Sequence, residues 1–160
     1  MQESRFATGN SQLIIRDFQT DDQSLARELI LSGLREHWGD AFAPGQNPDL
    51  DDIAAFCKRG VFLVALAGER LVGTGALIPE RPGVARIARM SVAADMRRHG
   101  VGRQILQTLC SRARERGCQK IILETTSTWE GAAAFYRDFG FKVIGAWDGD
   151  THFELQVRCT

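Results

Sequence analysis

The chain has 160 residues, 44% of them hydrophobic and 25% charged, with a formal net charge of zero. That size and composition fit one domain with a core of its own and exclude a disordered or fibrous chain. There is no apolar run of the roughly 18 residues a membrane-spanning helix needs, and the opening "MQESRFATGNSQ" lacks the apolar centre of a secretory signal.

The four cysteines, Cys57, Cys110, Cys118 and Cys159, form no C-x-x-C pair and no His/Cys cluster with zinc spacing. Free thiols, no metal and a reducing compartment, the cytoplasm, are the expectation. Charge is unevenly spread: Arg81 to Lys120 holds ten basic residues against Asp95 and Glu115, whereas Asp17 to Glu69 holds ten acids against four bases. A basic centre suits a polyanionic ligand and an acidic first third suits a cationic one, unless these are unrelated solvated faces.

In chain order, Leu13–Phe18 reads as a strand, and Leu25, Leu29, Ile30 and Leu34 follow at helical spacing. Two prolines and two glycines make 39–48 a loop, and "DLDDIAAFCKRG" a short helix with an acidic start. Val61–Leu66 and Leu71–Ile78 form a hairpin, and the alternating "VARIARMSV" (84–92) a third strand. After "RRHGVGR", a helix sets Val101, Ile105, Leu106, Leu109, Cys110 and Ala113 on one face and stops at Gly117. "KIILET" has the continuous apolar centre of a buried strand. Ser127 and Glu130 read as a capping box opening "STWEGAAAFYRDFG", and "FKVIGAW" and "HFELQV" close the chain. The order β-α-α-β-β-β-α-β-α-β-β predicts a mixed α/β domain, a central sheet of about seven strands flanked by about four helices, over residues 1–160 with its core at about 13–157.

The segment "RRHGVGR" (97–103) lies between a strand and a helix. The first N–H groups of a helix have no partner within it, and the helix dipole is positive there. Glycine lets an anion approach those groups, and arginine adds forked donors for phosphate. The segment is therefore a pyrophosphate cradle, but not a P-loop, and Gly100-x-Gly102 lacks the third glycine of the dinucleotide fingerprint.

Arg97-x-x-Gly100-x-Gly102 resembles the Q/R-x-x-G-x-G/A signature of the GCN5-related N-acetyltransferases (GNAT). "AAAFYRDFGF" resembles that family's later helix, which carries A-x-x-x-Y, and the element order agrees from about Leu13 to Val157. The resemblance implies acetyl-coenzyme A as cofactor, its pyrophosphate on the turn of Arg97, Arg98, His99, Gly100, Val101, Gly102 and Arg103. It implies central strands that splay, with pantetheine along Met90, Ser91 and Val92 and beside Ala132, Phe135 and Tyr136. Ala94, Arg98 and Trp129 depart from residues common in the family, the last in place of a frequent asparagine.

An amine attacking a thioester requires a free amine, a donor for the developing oxyanion and an acid for the thiolate. Tyr136, the one tyrosine, takes the family's acid position, and a backbone N–H near Met90 or Ser91 is the oxyanion donor. The base is open: Glu124 through water, Glu80, His37 or His152, or none. His99 is read as solvated or phosphate-facing, Cys110 as packing and Cys118 as an ordinary thiol. Over the acceptor, Glu36, Trp38 and Phe42 suggest a small cationic or aromatic amine. A protein acetyltransferase and a non-catalytic acyl-coenzyme A binder are the alternatives. Neither nucleic acid nor membrane is expected as a partner, and the chain is read as a monomer or homodimer.

Overall fold

A computed structural model of the chain describes residues 3–8, 11–43, 45 and 47–157, with side chains from residue 12 onward. Cys159, Pro44 and Gln46 of the sequence reading lie outside the described residues. Strands β1 (Glu3–Thr8), β2 (Ser11–Asp17), β3 (Val61–Ala67), β4 (Arg70–Arg81), β5 (Val84–Val92), β6 (Lys120–Thr126), β7 (Lys142–Trp147) and β8 (Asp150–Gln156) form one sheet in the order β1-β2-β3-β4-β5-β6-β8-β7. Helices α1 (Gln23–Trp38), α2 (Ile53–Cys57), α3 (Val101–Glu115) and α4 (Glu130–Phe139) complete the elements that position the site.

The seven expected strands are present, and β1 is an eighth, paired antiparallel along the outside of β2. The capping box at Ser127 is not formed. Trp129 occupies the N-cap of α4 without a side-chain bond, while the Ser127 hydroxyl lies 3.0 Å from the Thr151 hydroxyl. The tie from the chain turn to β8 replaces the local bond that the spacing suggested. By contrast the acidic start of α2 caps it, the Asp52 carboxylate accepting from the Ala55 N–H at 3.2 Å.

The helices lie in two layers. Ala26, Ile30 and Leu31 of α1 and Ile53 of α2 pack with Phe62, Val64 and Ala76 on one face of the sheet. The apolar stripe of α3, with Ala133 and Tyr136 of α4, packs with Leu63, Ile87, Ile121, Leu123 and Phe153 on the other. Gly75 of β4 permits the close approach of α3, because a Cβ there would sit 2.6 Å from Ile105 and 3.0 Å from Leu109.

All neighbouring strands run antiparallel except β5 and β6, and that parallel pair is short. Only Val84, Ala85 and Arg86 pair with Lys120, Ile121 and Ile122. Beyond Arg86, β5 stays with β4 as far as Val92 and β6 stays with β8 as far as Thr126. The sheet opens between them, as the splayed central strands require.

Candidate functional site

The opening is a cleft of about 1040 Å³, lined by the free edge of β5, the turn before α3, one face of α4 and the C-terminal half of α1. Met90, Ser91, Val92, Arg97, Arg98, Gly100, Val101, Gly102 and Arg103 line it, and so do Ala132, Phe135, Tyr136, Glu36 and Glu124. Residues remote in sequence thus converge on one space. Three others do not line it. His99 is exposed, Trp38 stands beside the mouth, and Phe42 lies under the Arg35 guanidinium, packed on the α1–α2 cluster.

The turn leaves the first amides of α3 without helical partners. Arg98 and Gly100 both have positive φ, 66° and 82°, and the first helical bond of α3 is Gln104 N–H to the Gly100 carbonyl at 3.1 Å. The amides of Val101, Gly102 and Arg103 therefore precede the helical ladder and stay available. A side chain at Gly102 would fill the space between Val92 and Phe135, 3.5 Å from each. No carboxylate partners Arg98 or Arg103 among the described residues; Arg103 lies over the Phe139 ring at 5.4 Å.

Tyr136 reaches the cleft from the core. It is 8% exposed, with ring neighbours Phe135, Phe141 and Phe153 at 5.1, 5.8 and 5.9 Å. Burial alone pushes its pKa far above the ordinary tyrosine value, so the phenol keeps its proton.

Charges across the cleft are paired. Arg86 bonds both Glu80 oxygens at 3.0 Å and also the Glu124 carboxylate. Arg97 forks onto Glu36 at 2.7 and 2.8 Å, and those hydrogen bonds hold the Glu36 carboxyl below its usual range. The next residue of α1, His37, lies against the Trp129 ring at 4.2 Å, with Thr128 Oγ1 3.5 Å from His37 Nε2. The last turn of α1 is thus tied to both lips of the cleft. The buried Trp129 indole N–H has no acceptor among the described residues.

Sequence reasoning missed the arginine pairs, because their partners lie 38 and 61 residues away. It also missed that Trp129, seen only as a departure from a family pattern, forms an aromatic wall with His37.

The Acetyltransferase (GNAT) family model matches residues 30–141. A rat protein, N-acetyltransferase 8F1, is 30% identical over 115 residues, covering 68% of this chain and 52% of that protein. The chain therefore spans about half the length of that relative. Among solved structures, the Thermoplasma acidophilum PaiA N-acetyltransferase in complex with coenzyme A superposes with a TM-score of 0.80 at 17% identity, over 90% of this chain and 98% of that one. An aminoglycoside 6'-N-acetyltransferase complexed with coenzyme A gives 0.71 at 18% identity, over 91% and 98%. Among the described residues no helix is long and apolar enough to cross a membrane, and no group of His, Cys, Asp or Glu side chains is arranged to hold a metal ion.

Proposed function

Because the chain belongs to the acetyltransferase (GNAT) family, we propose that it is an acetyl-coenzyme A-dependent N-acetyltransferase acting on the primary amine of a small molecule, with both substrates held in the one cleft. The observation that carries this reading is the junction of three features in a single space: an amide-lined turn, a free strand edge and a buried, protonated phenol.

Acetyl-coenzyme A supplies the acetyl group as an activated thioester. The amides of residues 98–103, with Arg98 and Arg103, hold its pyrophosphate. The edge at Met90–Val92 pairs with the amide-bearing arm, as an unpaired strand edge does with any extended amide chain. The N–H of Met90 or Ser91 donates to the oxygen that gains charge as the amine adds. Tyr136 holds the proton that the departing sulfur takes. Glu124, which is bonded to Arg86, takes the amine's proton through water.

On the acceptor side, His37 and Trp129 offer a flat wall. Glu36 is committed to Arg97, and Trp38 and Phe42 lie off the lining. A flat or cationic small amine suits this wall. The bridge of α1 across the cleft favours small acceptors over protein chains.

Thiol release from acetyl-coenzyme A, followed across a panel of amines and short peptides, tests the reading. Small amines should turn over and peptides should not. Tyr136→Phe should lower kcat by about ten-fold or more with coenzyme affinity retained. An unchanged kcat would remove Tyr136 from the chemistry.

A further inference from the structure

The strand that offers its edge to the cleft is deformed at one point. Ala88 pairs with Ala76 and Ser91 with Thr74, so Arg89 and Met90 together stand opposite the single residue Gly75. This is a β-bulge. Its first residue, Arg89, has φ 55°. In that left-handed region a Cβ crowds the following carbonyl, and glycine is the usual occupant. An arginine stays there only when its surroundings determine the conformation.

Two sets of contacts do so. Inside the sheet, the fully buried Thr74 hydroxyl donates to the Arg89 carbonyl at 2.8 Å. Outside it, the Arg89 guanidinium forks onto the Asp49 carboxylate at 3.0 and 2.6 Å and reaches Asn47 Oδ1 at 3.2 Å. Asp49 belongs to a short 3-10 turn, Pro48–Asp51, whose Leu50 is anchored in the core at 1% exposure. Arg89 is thus held by its backbone from the sheet and by its side chain from the segment between α1 and α2.

We infer that Thr74, Arg89 and Asp49 are a positioning set for acetyl transfer. Thr74 fixes the bulge, which sets where the Met90 amide and the rest of the free edge to Val92 lie along the cleft. The Arg89–Asp49 pair ties the segment between α1 and α2 to that same bulge, so the bulge is held from outside the sheet as well as from within it. None of the three residues acts on substrate directly. The inference rests on the N-acetyltransferase reading above for its kinetic consequence, but its structural content stands apart from it.

Three substitutions separate the parts. Thr74→Val keeps the volume and leaves a buried carbonyl without its donor, and Thr74→Ser restores the hydroxyl. Arg89→Gly accepts the left-handed backbone at no steric cost but deletes the tie to Asp49. Amide hydrogen exchange, calorimetry with coenzyme A and steady-state kinetics read them out.

Thr74→Val should speed exchange at residues 88–92 by about ten-fold and lower kcat by about ten- to hundred-fold, with coenzyme affinity unchanged. Thr74→Ser should recover both. Arg89→Gly should leave 88–92 protected and speed exchange at 47–52, with coenzyme affinity unchanged. If Thr74→Val fails to fold, the Thr74→Ser and Arg89→Gly results decide. Wild-type protection and kcat in Thr74→Val, or an unaltered 47–52 segment in Arg89→Gly, would overturn the inference. If wild-type protein fails to bind coenzyme A, the functional reading falls, while the exchange results still judge the positioning set.

Discussion

Tyr136 shows how one side chain can belong to the core and to the site together. Its ring is packed among phenylalanines, and burial makes phenolate formation costly. The unfolded chain ionises this group at about pH 10, whereas the fold keeps it neutral to higher pH. The stability it contributes is therefore complete below about pH 10 and declines as pH rises toward the folded value. Phenolate absorbance is a clean probe, since the chain has a single tyrosine. The native titration should fall well above the ordinary tyrosine range, and that in denaturant within it. A native midpoint at the ordinary value would mean a solvated phenol and would remove the basis for a retained proton. Cys110 is governed by the same effect. Burial pushes its thiol to about 11, so it packs as an apolar group and reacts slowly with thiol reagents.

Among the elements whose side chains are described, β7 is poorly protected. It forms one edge of the sheet, and Val143, Ile144 and Trp147 are 46%, 48% and 49% exposed. Edge strands are normally guarded by charge or proline, and β7 has no proline and a single charge, Lys142 at its start. Ile144→Lys should reduce concentration-dependent light scattering on warming and leave kcat unchanged; equal scattering would show that this edge is not the sticky surface. The same element-level view explains what could be read from the sequence. The turn at 97–103 and the Tyr136 helix were legible because each is a local pattern that carries its own chemistry. β1 was not, because "ESRFAT" has too few apolar residues to mark a strand and gains its place by pairing with β2. The bulge left no trace either, for nothing in the sequence around Arg89 signals a left-handed residue. Likewise, the Ser127–Glu130 spacing suggested a local cap, but a cross-strand partner at Thr151 took the hydroxyl instead.

Across the whole molecule, the two charge blocks of the sequence meet. Asp17 binds Arg112, Glu36 binds Arg97 and Asp49 binds Arg89, so the acidic first third folds onto the basic centre. What the sequence offered as a choice between a polyanionic ligand and scattered solvated faces becomes mutual neutralisation, with Arg98 and Arg103 left over at the turn that faces the cleft. The short seam between β5 and β6 has a further consequence. Among the described residues, three β5–β6 residue pairs and the Gln119 and Lys120 N–H groups on the Gly83 carbonyl are the main-chain links that join the first five strands to the last three. The last part, 118–157, is therefore stitched to the rest by one short margin and by the core it shares with α3, and whatever fills the gap beside it acts as mortar. Exchange measurements should find that part loosening as a unit ahead of the remainder, with coenzyme A slowing it more than any other region.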